Sequence, residues 1–551
     1  MRTFCALLLA VAASGQQAPF TLDQVLGASF PPELVAAPAG GKIAWVSNAR
    51  GVRNIFVAEP PAYQARQITA YSRDDGQELT DLHWSADASA IVFVRGCSAN
   101  PALDPRGPSE AVWMAALAGG PPRRLGAGRS PAPSPKDTRV AYVSGGQIWM
   151  TALGGTTEPK QAFQARGQES GAIWSPDGER LAFTSTRRDH SLIGVYDVVQ
   201  DTLRYLDPST DFDSNSEWSP DGRSIAFLRQ PSSGLRAVRQ ARRAGEPWSI
   251  RVANVETGAG RVIWTAREGP GSVFRRMTAR NQLLWTVDGR IVFPWEGDGW
   301  LHLYSIPASG GAAGELTPGE FEVEDAALSA DRREVVFSSN QGDIDRRHLW
   351  KVAASGGPPI ALTSGTGIEV APAPAADEAI ALLASDAQRP LHAAIRTGGS
   401  VRALDPKAIP SDFPTDQMVT PQQVIFPSAD GLAIHGQLFL PPGRPARAPA
   451  VVFFHGGSQR QMLLGWHYMY YYSNAYALNQ YLASRGYVVL SINYRSGIGY
   501  GLNFREALNY GPSGASEYND VQGAGVYLRL RPEVDPARIG AWGGSYGGYL
   551  T

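Results

Sequence analysis

The sequence predicts two domains in series: a β-propeller of eight blades, with seven as the alternative, followed by an incomplete α/β-hydrolase domain. Three observations carry this expectation. A motif built on Trp-Ser-Pro-Asp-Gly and followed by an alternating apolar run recurs along residues 31–407. After residue 420 strands alternate with helices instead. Near the end of the chain a glycine-flanked serine, Ser545, follows an apolar strand.

The 551 residues are too many for one ordinary core, and 43% hydrophobic with 18% charged side chains is a globular balance. The 60 glycines and 41 prolines show no collagen period, so they imply turns between many short strands. Net charge is −1 and no lysine- or arginine-rich block occurs, which leaves no electrostatic footprint for nucleic acid or an anionic membrane.

Residues 1–15 read as a signal peptide: Arg2, an apolar run from Phe4 to Ala13, then small residues with cleavage expected near Gly15. The run is too short to span a bilayer, and Cys5 lies too early to be a lipoprotein anchor, so the mature chain is expected in the periplasm or secreted, without a membrane anchor. Removing the leader leaves Cys97 alone, excluding an intrachain disulfide; the apolar run before it predicts a buried, inert thiol.

The clearest repeat copies are "IWSPDGERLAFTS" from Ile173 and "EWSPDGRSIAFLR" from Glu217. Weaker copies place their turn acids at Asp87, Asp137, Asp288, Asp331 and Asp377, beside Asp177 and Asp221 in the clear ones, and a worn first copy starts at Ala36. A spacing of roughly 40 to 50 residues is a propeller-blade period. Pro-Asp-Gly presets a tight turn, and the alternating run after it predicts a half-buried strand. Second strands follow in "QIWMTAL", "WLHLYSI" and "HLWKVAA". One long gap holds a basic insertion from Pro231, expected as a solvated loop, with a substrate or subunit contact as the alternative.

Residues 408–420 read as a proline-punctuated linker, and residues 421–551 as the front of the catalytic domain. A hairpin turns at Asp430-Gly431, "APAVVFFH" is a buried strand, and "LNQYLASRGYVVLSINYR" is a helix and another buried strand. "SEYNDVQGAGVYLRLR" is a helix and "RIGAWGG", buried from Ile539 to Trp542, feeds the serine. Such alternation predicts a mainly parallel sheet covered on both faces.

Gly-x-Ser-x-Gly alone says little, because this composition yields roughly one half of a match by chance. Context makes Ser545 a candidate nucleophile. The motif stands where a strand meets a helix, with small residues around it, as a nucleophile elbow requires. Upstream, His455-Gly456-Gly457 ends another buried strand, where this fold supplies one oxyanion donor; the N–H of Tyr546 supplies the other. The order of partners in the fold is Ser, then Asp or Glu, then His, yet all eight histidines precede Ser545. His455 and His467 are not expected to substitute. The sequence is therefore expected to be the front part of a longer enzyme, inactive as it stands for want of the triad Asp and His.

At these motifs the chain resembles the prolyl oligopeptidase family of serine peptidases, which includes dipeptidyl peptidase IV and acylaminoacyl peptidase. "HGG", "NYRSGIGYG" from Asn493, "EYNDV" from Glu517, "GGSYGGY" from Gly543 and the blade segment "GDGWLHLYSI" from Gly297 carry the resemblance. It implies that Ser545 attacks a peptide carbonyl to form an acyl-enzyme, that Tyr546 with Gly456 or Gly457 holds the oxyanion, and that the propeller admits only short peptides. Two departures stand out. No Glu-Glu pair exists to grip a free amino terminus, and histidine occupies position 455, where the dipeptidyl peptidase branch has an oxyanion tyrosine. The segment Gly465 to Tyr476 is rich in tyrosine, which suits packing on the propeller or an aromatic substrate wall. Other functions compatible with the sequence are an esterase or acyl hydrolase, and a non-catalytic TolB-like propeller binding protein. No metal cluster or phosphate-binding loop is visible, so no cofactor is expected; the partners expected are short peptides and, as an open option, a second copy in a homo-oligomer.

Overall fold

The recurring turn is built the same way in copy after copy. The hydroxyl two residues before the acid donates to its carboxylate: Ser85 to Asp87, Ser175 to Asp177, Ser219 to Asp221, Thr286 to Asp288 and Ser329 to Asp331. The carboxylate then accepts the backbone N–H two residues on, from Ser89, Glu179, Arg223 and Arg333 respectively in four of these turns. Such local bonds preset the turn before any tertiary contact forms. The hydroxyls, together with the backbone donors, hold Asp87, Asp221 and Asp331 below the usual carboxylate range.

The motif's tryptophan has a different task. Trp84 and Trp174 each donate their indole N–H to a carbonyl of the preceding sheet, at Val35 and Ala132, and Trp218 donates to Ile173 in the preceding repeat copy. In these three copies the tryptophan ties a repeat to the one before it, as units that cannot bury their own faces require.

A computed structural model describes residues 19–96, 110–155, 158–232, 242–443, 446–511 and 515–551. The expectations for the leader and for Cys97 fall outside these residues. Among the described residues, six antiparallel sheets of four strands and one of eight precede residue 404. The larger one joins Gln168–Leu206 and Phe212–Thr265 through a single parallel bridge, Ser191 to Phe212. These sheets are consistent with propeller blades. Ile43 and Trp45 of the first sheet share an apolar core with Ile368, Val370, Ala381 and Leu383 of the last.

Residues 406–418 are less of a tether than a linker suggests. Two single 3-10 turns, Pro406–Ala408 and Thr415–Gln417, bracket Phe413, and both Phe413 and Met418 are buried against Trp466 and Tyr476. The short helix Leu22–Val25 joins the same cluster through Phe20 and Val25, and Arg485 donates to the Phe20 carbonyl at 3.0 Å. A segment upstream of the first blade thus packs on the second domain.

That domain is a five-stranded sheet in the order Gln422–Pro427, Ala433–Phe439, Val488–Asn493, Ala448–Phe454, Val534–Gly543. The first pair is the hairpin about Asp430-Gly431; the last three strands are parallel. Helix Tyr518–Arg529 covers one face with Ala524 and Leu528, and helix Tyr470–Ser484 covers the other with Tyr476, Ala477 and Ala483. The expectation of a buried strand at Ile539 to Trp542 is corrected: Gly540 and Ala541 are exposed, and Ile539 and Trp542 only half-buried. Among the described residues Val534–Gly543 is the edge strand, paired on one side only with Ala448–Phe454.

Acids from the blades meet the second domain at the interface. Asp345 accepts from Tyr500, His435 and Gln423; Glu322 from the Gly499 and Gly501 N–H groups; Glu324 from Tyr468; Glu296 from Arg505. The basic insertion contributes too: Arg243 donates to the Glu506 carbonyl at 2.8 Å. At its described end, the segment from Pro231 therefore contacts the other domain, where a solvated loop was expected.

Candidate active site

Strand register brings the two glycine turns together. Ala448–Phe454 and Val534–Gly543 run parallel with Phe454 opposite Gly543, so the residues that leave their C-terminal ends, His455-Gly456-Gly457 and Gly544-Ser545-Tyr546, emerge side by side. This is the position where open parallel sheets present their sites.

Ser545 has φ 54° and ψ −119°, a conformation natural to glycine and costly for a residue with a side chain. It caps the helix Tyr546–Leu550, whose first N–H, that of Tyr546, has no acceptor within the helix. The crowding expected around an elbow is severe. A Cβ on Gly547 would stand 2.0 Å from the Phe454 carbonyl oxygen, and one on Gly543 2.6 Å from the same atom. A Cβ on Gly456 would lie 3.3 Å from Ser545 Cβ, so the HGG turn and the serine are neighbours.

The surroundings are aromatic. Tyr494 donates to the His455 carbonyl at 2.7 Å and stacks on the His455 ring at 4.1 Å. Tyr546 donates to Glu517 at 2.6 Å, and that buried carboxylate also accepts from Ser496 and the Gly511 N–H. Tyr472 donates to the Gly456 carbonyl at 2.9 Å. Because C=O and N–H of one trans peptide point in opposite directions, this bond also aims the Gly457 N–H.

The tyrosine-rich segment packs on the blades and also reaches the glycine turns. Tyr468 and Tyr476 bond to the blades, at Glu324 and the Ala387 carbonyl, whereas Tyr471 and Tyr472 stand at the glycine turns. Sequence reasoning passed over Glu322, Glu324 and Asp345 altogether. In "FEVED" acids alternate with buried Phe321 and Val323, a strand pattern whose polar face has nowhere to go but an interface.

The hydrogen bonds of the His455 and His467 rings go to partners other than Ser545. His455 is fully buried against Tyr494, and burial lowers its pKa to about 3. His467 accepts the Met469 N–H on Nδ1 and donates from Nε2 to the Gln461 carbonyl; burial lowers it to about 4. Both rings are neutral in the fold, but near the usual 6.5 in the unfolded chain. Between those values the unfolded state binds more protons, so stability falls by about 1.4 kcal/mol per pH unit per histidine as pH drops from 6.5 toward 4. Thermal unfolding followed from pH 7 to pH 5 is expected to show a falling Tm, and His467→Gln to flatten that slope; an unchanged slope in the variant would refute the assignment.

Comparison with known proteins agrees with the geometry. Residues 474–551 match the model of the prolyl oligopeptidase family, and residues 232–384 that of the dipeptidyl peptidase IV N-terminal region. An uncharacterized peptidase, YuxL, of Bacillus subtilis is 34% identical over 134 residues, 24% of this chain and 19% of that protein. Human dipeptidyl peptidase 8 is 35% identical over 143 residues, 25% of this chain and 15% of that protein. The matched stretch thus spans less than a fifth of either relative. Porphyromonas gingivalis dipeptidyl peptidase 4 superposes with a TM-score of 0.70 at 17% identity, over 97% of this chain and 82% of its own. A puromycin-hydrolyzing peptidase of Mycobacterium tuberculosis does so at 0.63 and 18%, over 87% and 75%. The structural likenesses establish a shared fold, and the sequence matches establish the resemblance to prolyl oligopeptidase peptidases.

Proposed function

We propose that this chain, with its prolyl oligopeptidase-family segments, belongs to an exported serine peptidase that cleaves short peptides through an acyl-enzyme at Ser545. The observation that carries the reading is the strained Ser545 backbone set against Gly456 by the register of two parallel strands. A conformation that costs about 1–3 kcal/mol persists where the surrounding structure over-determines it, and such positions cluster at active sites. Ser545 Oγ gives up its proton to a general base and attacks the peptide carbonyl, and the N–H groups of Tyr546 and Gly457, or of Gly456, stabilise the oxyanion. Collapse of the oxyanion breaks the C–N bond and releases the amine, which takes that proton, leaving the acyl-enzyme for water to hydrolyse. The sheets before residue 404, taken as eight blades closed by the contact of first with last, form a lid that restricts entry to short peptides.

Reaction of the full-length protein with a fluorophosphonate probe tests this, together with hydrolysis of blocked peptides and short acyl esters. Labelling at Ser545 with peptide turnover is expected. Ester turnover alone would make it an acyl hydrolase, and an unlabelled Ser545 would leave a binding protein. Tyr472→Phe, which removes the hydroxyl's bond to the Gly456 carbonyl while keeping the ring and leaving His455 Nδ1 at 3.2 Å from that oxygen, is expected to lower kcat about tenfold with little change in KM. Equal kcat in the variant would sever Tyr472 from the oxyanion site.

A further inference from the structure

Far from Ser545 in sequence, the blade segment Gly297 to Glu315 brings together three groups with no assigned role. His302 opens the strand His302–Pro307, Asp298 lies four residues earlier in the turn that precedes it, and Glu315 sits on the adjoining strand Gly314–Glu315, opposite Tyr304. Glu315 is therefore diagonal to His302 across the pair, within reach of its ring. Strand pairing is what makes Glu315 a neighbour of the other two.

Their geometry is that of a ligand set. His302 Nε2 lies 3.5 Å from Asp298 Oδ2 and 3.9 Å from Glu315 Oε1, and the three candidate ligand atoms all fall within 4.8 Å of one another. Ligands at about 2.1 Å from a tetrahedral ion stand about 3.4 Å apart. The His302 side chain is 0% exposed, and Nε2 has no hydrogen-bond partner. A buried imidazole nitrogen without a partner, facing two carboxylates, calls for an occupant. The other ring nitrogen, Nδ1, is 3.4 Å from Thr317 Oγ1, which already accepts the Leu303 N–H, and Phe321 closes the ring's edge. The ring also bonds to the Gly319 backbone; in the tautomer with hydrogen on Nδ1, it presents a lone pair at Nε2, the usual arrangement of a metal-binding histidine. The carboxylates are 45% and 32% exposed, so an ion has an entry path and room for water as a fourth ligand.

We propose that Asp298, His302 and Glu315 bind a borderline divalent cation of the Zn2+ type, as a structural clamp. One nitrogen and two carboxylate oxygens suit zinc better than magnesium or calcium, which favour all-oxygen cages. The clamp lies where it can stiffen the domain junction. Gly299, next to Asp298, accepts the Leu502 N–H at 2.7 Å, and Glu296 holds Arg505 with a 2.7 Å bond. An ion tying the Asp298 turn to the neighbouring strand fixes the surface on which the second domain rests.

The test uses the full-length protein, stripped with chelator and titrated with Zn2+ alone, with bound metal counted by elemental analysis and Tm followed in parallel. Asp298→Asn with Glu315→Gln is the main variant, since both side chains are solvent-facing and their neutral forms keep the fold; His302→Ala is the second. Wild type is expected to retain about one zinc per chain and to gain about 2 °C or more in Tm on zinc addition, with affinity lower at least about tenfold in the double variant. A wild type that retains no zinc overturns the proposal, as does a double variant that binds zinc as tightly as wild type.

Discussion

Replacing Ser545 with alanine in the full-length protein is expected to abolish fluorophosphonate labelling and to lower kcat/KM for blocked peptides by about 10^4-fold or more, leaving the fold intact. The size of the effect follows from the chemistry: without Oγ no acyl-enzyme forms, and oxyanion donors alone give only residual rate. A companion variant separates chemistry from strain. Ser545 holds φ 54° and ψ −119°, where glycine is at ease. Ser545→Gly is therefore expected to be as inactive as Ser545→Ala but more stable than wild type by about 1 kcal/mol, because it relieves the elbow. Denaturant midpoints and initial rates decide both points. Peptide turnover retained in Ser545→Ala would remove this serine from the mechanism, and a glycine variant no more stable than the alanine one would remove strain from the argument.

Arg495→Ala is expected to be the most destabilising single change in the second domain, at about 3–5 kcal/mol. The guanidinium joins Asp430 in the hairpin turn to Asp520 in helix Tyr518–Arg529: Nη1 and Nη2 donate to Asp430 at 2.7 and 2.6 Å, and Nη2 and Nε to Asp520 at 2.7 and 3.0 Å. Burial pushes the Asp520 carboxyl up against the guanidinium's pull, whereas bonds from Arg495 hold the exposed Asp430 well below the usual range. Removing the arginine strands a carboxylate that is 0% exposed, which is where the energy is lost. Adding Asp520→Asn should return part of it, and Arg495→Lys should recover less than half, since an ammonium cannot serve two carboxylates in a fork. A denaturant midpoint shifted by less than about 1 kcal/mol equivalent in Arg495→Ala would contradict the assignment.

Much of the architecture was legible because its causes are local. The Ser-x-Asp turns act over a few residues, so the repeat and its turn acids could be read directly, as could the strand-turn-helix around Ser545. The HGG turn was legible as a motif, but its closeness to the serine depends on Phe454 pairing with Gly543, two residues far apart in the chain. The Ile539 to Trp542 run announces a strand, but its burial depends on how many neighbours cover it, and among the described residues it pairs on one side only. Tyr472 was seen only as part of a tyrosine-rich run; which ring meets the Gly456 carbonyl depends on the face that helix Tyr470–Ser484 turns to the site.

The amino-acid sequence by itself determined the repeat, the alternation of strand and helix, the candidate nucleophile and the turn that flanks it, since periodicity and tight-turn chemistry act over short spans of chain. Only the tertiary structure decided which acids meet at the domain junction, that residues 19–30 reach across to the second domain, and that Asp298, His302 and Glu315 converge. Those depend on burial and on pairing between distant segments, where an unsatisfied charge or a buried lone pair acquires its meaning from what is folded against it.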